Sequence, residues 1–159
     1  MPVALDSLYF KTLDKLADLL ANCPAFQTWT STATAAAAKA RIYQVYDTAS
    51  AEWPLAVIRS QNDFAGTRDC SGDGIACFSL SEGATLIMEK TVSSASSDNV
   101  KTFCNEVAAI FAEAIDRQSS YLFLSSFSMD GPYKDDELVS SDDSKQIILR
   151  MVFSLKWGM

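Results

Sequence analysis

The sequence predicts an α+β fold, a mainly antiparallel β-sheet with amphipathic helices packed on one face. Three observations carry this prediction. Between Asp98 and Arg117, apolar residues fall at Val100, Phe103, Cys104, Val107, Ile110, Phe111, Ala114 and Ile115, the stripe of a helix with one buried side. Leu5, Leu8, Tyr9, Leu13, Leu16, Leu19 and Leu20 make a second such stripe near the N-terminus. Near the C-terminus, Ile147, Leu149, Met151, Phe153, Leu155 and Trp157 alternate with Ile148, Arg150, Val152, Ser154 and Lys156. That period of two is the pattern of a strand with one face buried.

Taken in order, the first helix spans about residues 6–22, with Asp6 or Ser7 placed to cap it and Asn22 and Pro24 to end it. Phe26 to Thr32 reads as a loop containing Trp29, and the alanine-rich Thr34–Ala40 as a short turn of helix. Arg41–Tyr46 (RIYQVY) is β-branched and aromatic, as strands are. Pro54 opens a strand over Leu55–Arg59, because a missing N–H is tolerable at a strand start. The glycine-containing Gln61–Gly74 reads as a long loop. Ile75–Leu80 and Ala84–Val92 form a hairpin about Ser81-Glu82-Gly83. A serine-rich link, Ser93–Ser97, leads to the helix that Asp98 is placed to cap. A strand over Tyr121–Met129 then meets the Gly131-Pro132 turn, and residues 130–145 form an extended polar loop before the terminal strand. The whole, residues 1–159, reads as a single domain; nothing repeats and no linker divides it.

Bulk composition removes several function classes. At 159 residues and 48% hydrophobic content, the chain can bury roughly 70% of its unfolded surface. No apolar run reaches the ~20 residues of a membrane helix, and the N-terminus lacks a signal-peptide pattern, so an intracellular product is expected. The formal net charge of −7 disfavours gripping nucleic-acid phosphates, but suits a surface that DNA slides past. Histidine is absent, which removes Ser–His and Cys–His nucleophiles and histidine metal sites. Cys23, Cys70, Cys77 and Cys104 form no CxxC pair, and reduced thiols are expected.

Candidate chemistry is sparse. Asp69-Cys70-Ser71-Gly72-Asp73-Gly74 opens like a calcium loop, but the twelfth position is Leu80 where a bidentate acid belongs. Cys70 or Cys77 as a nucleophile would need a cation nearby, and only Arg68 is close in sequence. Asp135, Asp136, Glu137, Asp142 and Asp143 could pair for acid–base work, but solvated carboxylates have no cause to shift. No catalytic residue, cofactor or metal is therefore expected. Those five acids, together with Trp53 beside Pro54, are the expected interface or lumen residues.

The order of elements resembles the tail terminator (tail-completion) and related neck proteins of long-tailed bacteriophages. The resemblance rests on the N-terminal helix, Ala40-Arg41-Ile42-Tyr43, the proline-led Pro54–Ile58, the hairpin, the helix Val100–Ile115, and the polar segment before Ile147–Trp157. It implies a structural virion protein, made in the host cytoplasm and housed in the tail or neck. Such a protein forms a homo-oligomeric ring, usually hexameric. The ring caps the tail tube, joins it to the head connector and lets DNA through its lumen without specific binding. The alternatives are a head-side connector or stopper ring, and a small intracellular adaptor whose acidic segment meets a basic partner.

Overall fold

The computed structural model describes residues 5–44, 51–60, 65–69, 77–117, 123–139 and 145–158. The architecture is α+β: a six-stranded, mostly antiparallel sheet with helices laid against one face. The elements are α1 (Leu5–Ala21), α2 (Pro24–Trp29), α3 (Ala35–Lys39), β1 (Ile42–Tyr43), β2 (Leu55–Ser60), β3 (Ala65–Asp69), β4 (Cys77–Val92), α4 (Ser97–Asp116), β5 (Phe123–Val139) and β6 (Lys145–Gly158). Strand order is β1-β2-β4-β6-β5, with β3 also paired to β4 and only the β1–β2 pair parallel.

The two amphipathic helices form where their stripes place them, and α1 buries Leu13, Leu16 and Leu20. The cap of α4 is Ser96, whose Oγ accepts from the Asn99 N–H at 3.3 Å; the expected cap, Asp98, lies inside the first turn. There its charge still faces the positive end of the helix dipole. Phe103, Val107 and Ile110 of α4 are fully buried against Leu86, Met88, Phe153 and Leu155 of the sheet. An apolar cavity of about 30 Å³ remains between α1, α4 and the sheet, lined by Leu16, Leu20, Ile110 and Leu155 among others.

Several expected boundaries move. The expected loop Phe26–Thr32 lies largely in α2. Pro24 does end α1, but it also sits in the first turn of α2, where a missing N–H costs nothing. The strand expected over residues 41–46 is confined to Ile42–Tyr43, and residues 45–46 lie outside the described set. The expected hairpin about Ser81-Glu82-Gly83 is one continuous strand, β4. Gly83 pairs with Lys156 and Ala84 with Ser60, so neighbours on both sides carry the ladder through the glycine. The expected loop Gln61–Gly74 contains β3, which follows β2 along the same side of β4: Ser60 pairs with Ala84 and Ala65 with Ser81.

The largest correction concerns the extended polar loop expected at 130–145. Residues 130–139 belong to β5, and only 140–144 lie outside the described residues. Charged residues can form this strand because β5 is the sheet edge and leaves one side to solvent. Its 17 residues match the 14 of β6 through three register shifts, at Leu124/Ser126, Asp130/Tyr133 and Asp135/Leu138. Each shift sets one extra residue against the partner, as a β-bulge does. The middle one absorbs Gly131-Pro132, read from sequence as a turn. Gly131 has φ +116°, and a Cβ there would lie 3.0 Å from the Arg150 carbonyl oxygen.

Candidate functional site

The sheet offers two surfaces, one charged and one apolar. The charged surface lies on the face away from the helices. Glu89 on β4 and Arg150 on β6 are cross-strand partners, and Arg150 Nε donates to Glu89 Oε1 at 2.6 Å. The Glu89 side chain is 3% exposed and that of Arg150 31%. Arg150 Nη1 also meets Asp135 Oδ2 at 2.8 Å, from β5. Burial pulls the Arg150 guanidinium down, but Glu89 and Asp135 outweigh it and hold the group above its ordinary value. Around this triad lies an open depression of about 460 Å³, lined by Val57, Arg59, Ile87, Glu89, Tyr133, Arg150 and Val152. The Tyr133 hydroxyl is raised above its ordinary value chiefly by its hydrogen bond to Asp130.

The apolar surface lies on the helix face, at the β5 edge. Phe127 and Met129 pair with Leu155 and Phe153, so they share the core-facing side of the sheet. Yet Phe127 is 52% exposed and Met129 58%, because α4 stops short of the last strand. Phe111 of α4 bridges the gap, with its ring centroid 4.7 Å from that of Phe153 and 4.8 Å from that of Phe127. Ile115, 38% exposed, continues the surface along α4.

The residues expected to act are scattered. Asp135 is exposed and engages Arg150. Asp136 and Glu137 fall on β5 at its third bulge. Asp142 and Asp143 lie outside the described residues, as do Cys70, Asp73 and most of the calcium-like loop; Asp69 ends β3. Among the described residues, no group of His, Cys, Asp and Glu could hold a metal ion. Trp53 is half-buried, and its Nε1 is covered without a hydrogen-bond partner. Its carbonyl oxygen accepts from Arg41 Nη1 at 3.5 Å, and Arg41 pairs with Glu52 at 2.6 Å. An indole N–H already covered by its own chain cannot donate to a partner, so any contact through Trp53 would use its ring.

Two acids of α4, Glu106 and Glu113, hold helices in place. Glu106 accepts from Lys90 Nζ at 2.7 Å and from Trp29 Nε1 at 3.0 Å, tying α2 to β4. Glu113 accepts from the Ala25 N–H at 2.8 Å and from Arg117 Nε at 3.2 Å. The N-cap position of α2 is Cys23, which makes no side-chain cap, so Glu113 supplies from another helix the acceptor that the local sequence lacks. Cys104 is half-buried on the α4 stripe, as its spacing indicates.

Sequence reasoning missed Arg59, Glu89 and Tyr133 as a constellation. The available signal was Glu89 and Arg150, charges in the middle of otherwise apolar strands. No protein-family model matches the chain, and no curated protein matches it in sequence. Among the described residues, no helix is long and apolar enough to cross a membrane.

Proposed function

We propose that this chain is a structural ring subunit of a phage tail or neck, resembling a tail terminator. In this reading copies assemble into a ring, usually of six, that caps the tail tube and joins it to the head connector. DNA passes through the lumen without specific binding, and the finished protein resides in the virion. The observation that carries the reading is the uncovered apolar surface of Phe127, Met129, Phe111 and Ile115 beside the open β5 edge. Large apolar side chains clustered at a sheet edge are characteristic of interface cores. A stable interface buries about 800 Å² per partner, so these residues would form its centre and polar neighbours its rim. The choice of this particular assembly rests on the sequence resemblance, of whose elements the N-terminal helix, the proline-led strand, α4 and the terminal strand stand in the fold while the hairpin is one continuous strand.

Size-exclusion chromatography with light scattering, followed by negative-stain imaging, tests the proposal. The expected result is a ring, either alone or once tail tube protein is added. Phe127→Ser with Met129→Ser should abolish the ring while leaving the monomer folded, since both side chains are more than half exposed. A chain that stays monomeric and ignores tube protein would refute it. A head-side connector ring would use the same surface but bind portal-side proteins instead.

A further inference from the structure

Strand β5 ends the sheet, and among the described residues it pairs only with β6. Edge strands of this kind are normally blunted by charges, prolines or bulges. On β5 the blunting is uneven. Bulges stand at Leu124/Ser126 and at Asp130/Tyr133, and the second takes in Pro132. Between them Ser126–Asp130 runs in unbroken register, every residue of it exposed. The stretch holds no lysine and no proline, and it carries Phe127 at 52% exposure and Met129 at 58%. A backbone edge left open beside two uncovered apolar side chains is a surface suited to strand addition.

The residues of the stretch indicate what pairs with it. Ser126-Phe127-Ser128-Met129-Asp130 alternates polar and apolar identically in either direction about Ser128, and a bulge bounds it at each end. Laid antiparallel on a second copy about Ser128, Phe127 falls opposite the partner's Met129, and Met129 opposite the partner's Phe127. Both apolar pairs lie on the helix side, where Phe111 already meets Phe127 edge-on. Contacts between an aromatic ring and a thioether are favourable. Ser126 falls opposite the partner's Asp130, so the two carboxylates stand at opposite ends of the contact. A parallel arrangement in register would set Asp130 beside the partner's Asp130, and like charges opposite one another are destabilising. A slip of one residue would turn the partner's apolar side chains to the other face.

Five residues on each strand offer about four to six main-chain hydrogen bonds. Phe127 keeps on the order of 100 Å² uncovered, and Met129 a similar area. With the strand backbone added, the contact still falls short of the ~800 Å² per partner of a standard interface, so the pair is reversible.

We propose that Ser126–Asp130 pairs antiparallel with the same stretch of a second copy, joining two sheets into one across a two-fold axis at Ser128. Such an isologous contact needs one self-complementary surface, where a head-to-tail contact needs two different ones. The pair itself does not depend on the ring reading. Only its role does: away from the tail tube it keeps the apolar surface covered until ring contacts replace it.

Disulfide trapping on the full chain with oxidised glutathione tests it. In the pair the two Ser128 Cα atoms stand ~4.5–5.5 Å apart, within disulfide reach. The two Ser126 Cα atoms stand roughly 14 Å apart, well beyond it. Ser128→Cys should therefore give a cross-linked dimer about tenfold faster than Ser126→Cys or the parent, whose own cysteines set the background. Sedimentation of the parent at high protein concentration should show a monomer–dimer equilibrium, and Phe127→Lys should raise its Kd roughly tenfold. The variant should keep the parent's circular-dichroism spectrum, since more than half of the Phe127 side chain is exposed. Ser128→Cys cross-linking no faster than Ser126→Cys overturns the inference, as does a folded Phe127→Lys that associates like the parent. A trapped Ser128→Cys pair with no ring on added tube protein would sink the ring reading alone. Rings from the parent without a Ser128→Cys cross-link would sink the pair alone.

Discussion

Replacing Arg150 tests the charged face most sharply, because the two halves of its ion pair are buried unequally. The Glu89 side chain is 3% exposed, and the Arg150 side chain 31%. Arg150→Ala takes the arginine away from a carboxylate that solvent hardly reaches, a class of change that costs about 3–5 kcal/mol when the charge is left wholly unpaired and falls at the low end for Glu89, which keeps a further interaction. Glu89→Ala leaves Arg150 partly solvated and still 2.8 Å from Asp135, so its cost should be about 1–2 kcal/mol. For a chain of this size each kcal/mol moves Tm by about 2–4 °C. Arg150→Ala should therefore lower Tm by about 10 °C, and Glu89→Ala by roughly a third of that. The pair Glu89→Leu with Arg150→Met should recover most of the loss, since two apolar residues remove both desolvation costs. Thermal and urea unfolding at one protein concentration would measure all three, concentration being fixed because assembly itself raises apparent stability. Equal losses from the two single variants, or less than about 1 kcal/mol from Arg150→Ala, would refute the asymmetric burial on which the reasoning depends.

Three further outcomes follow from other parts of the fold. Glu106→Ala removes the acceptor for both Trp29 Nε1 and Lys90 Nζ, and should cost about 2–3 kcal/mol in urea unfolding. Glu106→Gln, which can still accept from the indole, should lose less. Burial, with Glu113 adding to it, pushes the Cys23 thiol up from 9.0 to about 11. The folded state holds that proton more tightly than the unfolded one, so its contribution is complete below about pH 9 and disappears as pH rises through 11. Parent stability should fall by on the order of 2 kcal/mol more than that of Cys23→Ala across this window, measured by urea midpoints. Gly131→Ala should cost about 1–3 kcal/mol, because φ +116° strains any L side chain and the new Cβ meets the Arg150 carbonyl. Circular-dichroism melting would read this change directly.

The elements legible in the sequence were those whose own residues determine them. The stripes of α1 and α4 and the alternation in β6 are local patterns, and all three appear at nearly the expected bounds. Position in the sheet governed the rest. Ser81-Glu82-Gly83 has the composition of a turn, but β6 pairs on through it and makes it mid-strand. Residues 130–139 have the composition of a loop, and become strand because β6 offers a partner and bulges absorb Gly131-Pro132. Pro24 was read once, as a helix stop, although proline also starts helices. The charged depression was the least visible feature. Glu89 and Arg150 are 61 residues apart and meet only through strand register, which hydrophobic periodicity does not specify between distant strands. Similarly, nothing in the α4 sequence marks Glu113 as the acceptor for an N–H in another helix.

The character of β5 bears on how copies could meet. A long edge strand invites strand addition, and this one has 17 residues. Its outer edge is nonetheless poorly suited to a continuous ladder. The bulges at Leu124/Ser126, Asp130/Tyr133 and Asp135/Leu138 break the spacing of its N–H and C=O groups, and Pro132 offers no N–H. The longest unbroken register is Ser126–Asp130, and that segment carries Phe127 and Met129 on the helix side. Backbone pairing there could align a neighbour over a few residues, but the area needed for a stable contact must come from side chains. In the proposed ring, the apolar surface beside α4 and the charged depression on the opposite face would have separable roles. The first supplies burial, which is non-directional. The second would supply charge, and charge complementarity selects orientation and excludes wrong registers. The proposed ring would use both, because burial alone lets copies associate in several arrangements, and only one rotation repeated subunit to subunit closes a circle.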